Sequence, residues 1–321
     1  PLVLCILLFK MTSSVAVTAV FRQYDVSNGL FNNQARTVIE MPDHRILVQT
    51  EGMFNLYDGC SFKELEYDKT QTTSIQSFLN TNHYFDRQHH LWVKDNHNLY
   101  VIDTRTYKIL RPSDFLKGSG IESDLNNFFM DSDGNAWMTT VDYKLYFYDF
   151  HHPAHLVLRT PKPLTKANHI SITDIVEANG RYFIFDSNGW MRCLDKKHLR
   201  TLYVQQMETP KLGFRLQARV LNNQCILIRK GEGLFKYNII SRTLSLIIKD
   251  TEISEFFCSK NGDVWISCSS GVFHLNRNLK IESKIDVIKE SKLGKTMKDS
   301  WLGLTTDYQG GLWLCSFNNG V

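Results

Sequence analysis

The feature that most constrains this chain is a unit that recurs from one end to the other. Its clearest copy is Phe128 to Asp149, FFMDSDGNAWMTTVDYKLYFYD: a polar turn at 131–135, an apolar strand holding Trp137, then a second alternating strand from Leu145 to Asp149. Aligned on Trp137, seven copies place Leu47, Trp92, Trp137, Phe183, Ile226, Trp265 and Trp313 in one column, at separations of 45, 45, 46, 43, 39 and 48 residues. A period of roughly 40 to 50 residues with several short strands per copy is the sequence signature of a β-propeller.

Two further columns follow the aromatic one. Five to seven residues on, a small or polar residue precedes a hydrophobe, as in Gly52-Met53, Asn98-Leu99, Gly233-Leu234 and Gly271-Val272. Most copies then close on a large apolar residue and Asp or Asn: Tyr57-Asp58, Ile102-Asp103, Tyr148-Asp149, Leu194-Asp195, Tyr237-Asn238 and Leu275-Asn276. Each copy therefore reads as four antiparallel strands, one blade. One blade alone exposes both faces, so blades must stack radially and bury the aromatic column, Leu47 to Trp313, between them. The expected fold is all-β: a seven-bladed propeller of four-stranded antiparallel blades.

The repeat favours one domain across the 321 residues, a length that closed all-β folds use routinely. With 43% hydrophobic and 22% charged residues and a formal charge of +4, the composition is that of an ordinary globular protein. Lys and Arg are spread over all copies without a basic run, and the aromatics sit at strand period, so no nucleic-acid partner is expected.

The chain begins at Pro1 without a Met, as a sequence truncated at its start does. The apolar run Leu2 to Phe9 is too short to span a bilayer of about 30 Å. With the polar patch after it and the small-residue pattern Val17-Thr18-Ala19, it reads as the remnant of a secretory signal peptide over residues 1–19, cleaved after Ala19. An uncleaved anchor is the rival reading, and the bulky Leu4 before Cys5 argues against a lipoprotein site. No other stretch resembles a membrane span. Export permits disulfides, but Cys60, Cys193, Cys225, Cys258, Cys268 and Cys315 show no pairing pattern, and buried free thiols are expected.

Residues 20–321 form the expected propeller. Val20 to Val26 alternates like the last strand of a copy, whereas the seventh copy stops at Val321, just inside its third strand. The two ends are complementary, so the N-terminal strand, Phe21 to Asp25, is expected to complete the seventh blade and close the ring. Copy two lacks a turn glycine, and copies four and five carry Phe183 and Ile226 for Trp. Long polar connections at 111–127 and 284–300 join blades, where propellers carry specificity.

The runs S-N-G-L-F-N-N-Q (Ser27 to Gln34), D-S-D-G-N-A-W (Asp131 to Trp137), N-G-D-V-W-I (Asn261 to Ile266) and G-G-L-W-L (Gly310 to Leu314) resemble the two-component regulator propeller repeat. That repeat builds the periplasmic sensor region of hybrid two-component systems in Bacteroides-type bacteria, and the resemblance covers about 300 residues. It implies a signal peptide and a first propeller, followed beyond Val321 by a second propeller, an immunoglobulin-like domain, a membrane helix, a histidine kinase, a receiver and a DNA-binding domain. It also implies sensing of glycan-derived oligosaccharides to control polysaccharide-utilisation genes, homodimerisation through the full-length receptor, and a periplasmic location with the membrane reached only through those C-terminal parts. No kinase or receiver motif lies in these residues, so this stretch is expected to be non-enzymatic.

Asp131-Ser132-Asp133-Gly134 lacks the spacing and terminal Glu of an EF-hand and suits a tight hairpin better. His151-His152-x-x-His155 has no fourth ligand nearby, and surface histidines are the better reading. No metal or cofactor is expected, and no nucleophile elbow, phosphate-cradling loop or H-E-x-x-H occurs. Sugar sites need aromatic faces beside Asp, Asn and Arg. On the face where second-to-third-strand turns and blade-to-blade loops open, the candidates are Asp95, His97, Asp142, Tyr143, Arg229, Glu232 and Trp301. Besides ligand sensing, two readings stay open: a secreted propeller enzyme such as a polysaccharide lyase or glycosidase, and a structural or protein-binding propeller.

Overall fold

A computed structural model describes residues 22–66, 82–95, 98–117, 121, 124–150, 157–158, 171–208, 216–231, 233–249, 252–268, 271–285 and 301–321. Residues 1–19, expected to be a signal-peptide remnant, and His151, His152 and His155 lie outside them. The first sheet runs β1 (Ala35–Glu40), β2 (Ile46–Thr50), β3 (Met53–Tyr57) and β4 (Phe62–Glu64). The second is β5 (Asn82–Phe85), β6 (His90–Lys94), β7 (Leu99–Asp103) and β8 (Ile109–Leu110), and the third is β9 (Leu125–Met130), β10 (Ala136–Thr140), β11 (Leu145–Tyr148) and β12 (Val157–Leu158). The fourth comprises β13 (Ile172–Ala178), β14 (Arg181–Asp186), β15 (Trp190–Asp195) and β16 (Thr201–Gln206). The fifth comprises β17 (Gln217–Asn222), β18 (Cys225–Lys230), β19 (Gly233–Asn238) and β20 (Thr243–Lys249). The sixth is β21 (Ile253–Cys258), β22 (Val264–Cys268), β23 (Gly271–Leu275) and β24 (Ile281–Ile285).

These six blades are four-stranded antiparallel meanders. The expectation of seven such blades needs correction. Among the described residues the seventh sheet has two strands, β25 (Trp301–Thr306) and β26 (Leu312–Ser316). After β26 the backbone turns at once and forms one bridge between Ser316 and Gly320. Residues 22–25 form no regular strand, although Tyr24 and Val321 exchange two backbone hydrogen bonds of 2.8 and 3.0 Å. Tyr24 also stacks on Trp313, with ring centroids 5.8 Å apart and planes 10° apart.

The core is a set of clusters between neighbouring sheets. Leu47 packs toward blade two with Ile39, Leu91 and Val93, and Trp92 packs toward blade three with Phe128, Ala136 and Met138. Trp137 meets Ile172, Tyr182 and Ile184 of blade four, and Phe183 meets Ala218 and Ile228 of blade five. Half-buried Trp265 packs with Leu304 and Leu314 of the seventh sheet, and half-buried Trp313 with Ala35, Val38 and Val48 of the first. Ile226 departs from the column. It faces back toward blade four, and its neighbour Leu227 packs forward against Ile253 and Ile266. Strand β18 is apolar on both faces, with Ile226, Leu227 and Ile228 all fully buried, so its alternation carried no information about facing.

The polar turns before Trp92 and Trp313 have a definite job. Asp86 accepts the amides of Gln88 and His90 on one oxygen, at 2.8 Å each, and the Trp92 indole N–H on the other, at 2.9 Å. Asp307 repeats this with Gln309, Gly311 and Trp313. One carboxylate thus fixes the hairpin by an Asx-type turn and anchors the aromatic. These turns need one residue at positive φ. Gly134 supplies it at φ 87° in blade three, and His89 adopts φ 68° in blade two, which explains a turn there without glycine. Asp131 accepts from Asp133 and Asn135 in the same way, but its second oxygen takes the Tyr182 hydroxyl of the next blade. Lys196 of that blade reaches Asp133 at 2.7 Å and Glu177 at 2.6 Å, so the D-S-D-G turn joins blades three and four. Of the cysteines, Cys193, Cys225, Cys268 and Cys315 are buried free thiols, Cys258 is half-buried and Cys60 is exposed.

Candidate functional site

The first strands β1, β5, β9, β13, β17, β21 and β25 all line one central cavity of about 280 Å³. Near the start of β1, β13, β21 and β25 the pairing with the second strand slips by one residue. Such a bulge re-aims side chains, and a belt of polar residues lies just past it or at the equivalent place: Thr37, Asn82, Asn127, Asp174, Gln217 and Glu255.

Belt members bind their own chain and the next blade. Asn127, Asp174 and Glu255 each accept the amide of the residue that follows, at 2.8, 2.9 and 3.0 Å. Asp174 also accepts the Ala218 amide of blade five at 2.8 Å, and Gln217 donates to Glu255 of blade six at 2.7 Å. In the seventh sheet the place belongs to Gly303, where a Cβ would stand 2.7 Å from the Arg36 carbonyl, so only glycine lets β25 approach β1 this closely.

Arg219, on β17, projects among these carboxylates. Its Nη1 donates to the Ala218 carbonyl at 2.8 Å and to Asp174 at 3.3 Å, and its Nη2 stands 3.6 Å from Glu255. Burial works against the guanidinium, but Glu255 and Asp174 outweigh it and raise its pKa. Burial raises the Asp174 carboxyl in spite of Arg219 and the two amides. His83 of β5 reaches channel solvent, yet the surrounding protein and the Arg219 charge lower its imidazole to about 4, so it is neutral at pH 7. Burial pushes the Cys258 thiol, in the same wall, up to about 12.

The candidates drawn from sequence are spread over several blades rather than gathered. Asp95 is buried at the end of β6 and accepts from the Asn98 amide at 2.6 Å and from Gln49 of the first blade at 3.3 Å. Asp142 lies in an exposed turn, where hydrogen bonds from Lys144 and Thr140 hold its carboxyl below the usual range. Tyr143 is in the same turn at φ 64° and is 44% exposed. Arg229 donates to the Ile253 and Ser254 carbonyls at 2.7 and 3.0 Å, a tie between blades five and six. His97 and Glu232 lie outside the described residues, and Trp301 starts β25 with its side chain outside them. Sequence reasoning missed Asp174, Arg219 and Glu255. The available signal was a polar residue opening an apolar first strand, as in Asn127-Phe128-Phe129, Asp174-Ile175-Val176 and Glu255-Phe256-Phe257. Among the described residues no group of three or more His, Cys, Asp or Glu is placed to hold a metal ion.

No protein-family model matches the sequence, and no curated protein matches it. Solved structures do. The extracellular domain assigned to a hybrid two-component system of Bacteroides thetaiotaomicron superposes with a TM-score of 0.67 at 16% identity, over 93% of this chain and 41% of that one. A second such domain from the same organism gives 0.67 at 14% identity, over 94% and 39%. The WD40 propeller domain of Doa1 gives 0.59 at 12% identity, over 89% and 91%. The fold and these likenesses define the class as an all-β propeller with four-stranded antiparallel blades. The chain spans about two fifths of the two extracellular domains it resembles.

Proposed function

We propose that this chain is the extracytoplasmic sensing propeller of a hybrid two-component receptor, which detects a glycan-derived oligosaccharide and controls polysaccharide-utilisation genes. The observation that carries the reading is its likeness, over more than nine tenths of its length, to two extracellular domains assigned to such systems. The repeat motifs Ser27 to Gln34 and Asp131 to Trp137 support it independently. On this reading residues 1–19 are a signal peptide and residues 20–321 a propeller in which the N-terminal segment closes against the two-stranded seventh sheet. The paired hydrogen bonds of Tyr24 with Val321 and the stacking of Tyr24 on Trp313 support that closure. The module sits in the periplasm, binds ligand without transforming it, contacts no nucleic acid and reaches the membrane through later parts of a homodimeric receptor. A ligand shifts such a receptor only through differential affinity for two arrangements of its subunits.

Reading the gene past the Val321 codon tests this. Further propeller repeats, a membrane helix and a histidine kinase are expected. A stop codon near Val321 with no linked kinase overturns the proposal.

A further inference from the structure

The belt leaves some polar groups uncommitted, and they face the same cavity. Glu255 spends Oε1 on Gln217, on the Phe256 amide and on its ion pair with Arg219, whereas Oε2 accepts no hydrogen bond from a described residue. Arg219 hydrogen-bonds through Nη1 alone, and Nη2 keeps only the 3.6 Å ion pair. Both side chains reach solvent from the channel, at 28% exposure for Arg219 and 15% for Glu255. A strong donor and a strong acceptor thus stand side by side, a pattern that two adjacent hydroxyls match, one accepting from Nη2 and the other donating to Oε2. Neutral His83 and Asn82 add polar groups across the cavity, and Tyr84 and Phe129, edge-to-face at 5.4 Å, add apolar wall.

Charge and size narrow the ligand. Two carboxylates around one guanidinium leave surplus negative charge that repels an anion, while the guanidinium between them opposes a cation. At about 280 Å³ the cavity falls below the roughly 300–1,000 Å³ of pockets that take drug-sized ligands, so it admits one ring rather than a chain. We propose that the central channel is a binding site for a single neutral polyhydroxylated ring, held by Arg219 and Glu255 through a vicinal diol. Resting on the sensing reading, this makes the channel the seat of one sugar unit of the ligand.

The test is calorimetric titration of the intact receptor with glucose, galactose, mannose, xylose and arabinose, with galacturonate as the charged comparator, and with oligosaccharides of the neutral sugars. At least one neutral monosaccharide should bind, more tightly than galacturonate, and Glu255→Gln and Arg219→Gln should each weaken it tenfold or more. Should a variant fail to fold, Glu255→Asp and Arg219→Lys, which keep the charge but displace the paired groups, take its place, and each should weaken the sugar severalfold. Oligosaccharide binding that is unchanged in every folded variant overturns the channel site and leaves the sensing reading standing. Tighter binding of galacturonate overturns the ligand class. Absence of binding by any sugar, single or linked, overturns both.

Discussion

Replacing Trp137 with alanine tests whether the clusters between blades hold this ring together. Trp137 is fully buried, with its ring centroid 4.9 Å from Phe147 of its own blade and 5.3 Å from Tyr182 of the next, edge-on at 77°. A buried tryptophan removes about 150–250 Å² from water, which at about 25 cal/mol per Å² is about 4–6 kcal/mol. Core Trp→Ala replacements cost about 3–5 kcal/mol. The Trp137 indole N–H has no acceptor among the described residues, so no hydrogen bond to them is lost with the ring, and about 4 kcal/mol is the expected cost. With a urea slope of about 3 kcal/mol per molar, the unfolding midpoint should fall by about 1 M. Far-UV circular dichroism reads it without interference from the other tryptophans. Trp265→Ala is the internal comparison: that ring is half-buried and stacks on His274 at 4.2 Å, so its loss should cost less. A Trp137→Ala midpoint unchanged within error, or a larger loss at Trp265, refutes the reasoning.

Trp92→Phe should cost about 1.5–3 kcal/mol more than Trp137→Phe, because only Trp92 donates to a carboxylate; equal urea midpoints contradict this. Burial pushes Asp86 up, but its bonds from Trp92 and His90 prevail and lower it, so its stabilisation is present at neutral pH and lost as pH falls through the lowered value. Trp92→Phe should accordingly flatten the acid limb of the stability profile, and an unaltered limb counts against the tie. Lys94 is lowered from 10.5 to about 8 by burial, so between those values the unfolded chain binds more protons and stability rises with pH. Lys94→Met should abolish that rise between pH 8 and 10, read as paired urea midpoints. Gly320 has φ 79°, and a Cβ there would stand 2.0 Å from the Tyr24 carbonyl. Gly320→Ala, or removal of residues 22–25, should destabilise by about 1–3 kcal/mol or more and bring early proteolytic cuts at 312–318; resistance equal to the parent sinks ring closure.

What the sequence disclosed depended on how one-sided each strand is. Strands with one large aromatic after an Asp turn, such as those of Trp92 and Trp137, fixed blade and register together, because Asp86 and Asp131 organise the turn locally. In β18, apolar on both faces, only the packed neighbours decide that Leu227 rather than Ile226 points forward. The composite seventh blade was inferred from complementary ends, but Tyr24 and Val321 contribute a single paired contact rather than a strand. Polar residues such as Asp174 and Glu255 were visible singly, but their assembly with Arg219 was not, because the three lie 45 and 36 residues apart. Residues chosen by type proved to have structural occupations as well: Arg229, on β18 rather than in a loop, ties two blades, and Asp142 stabilises its own turn.

The central claim is that an exported propeller binds an oligosaccharide and leaves it intact. Titration calorimetry of the complete exported region against plant and host oligosaccharides, with chromatographic analysis of each mixture afterwards, tests it most directly. The account predicts saturable binding of at least one oligosaccharide, recovered unchanged. Cleavage or elimination products from any of them, or no binding across the panel, contradicts it.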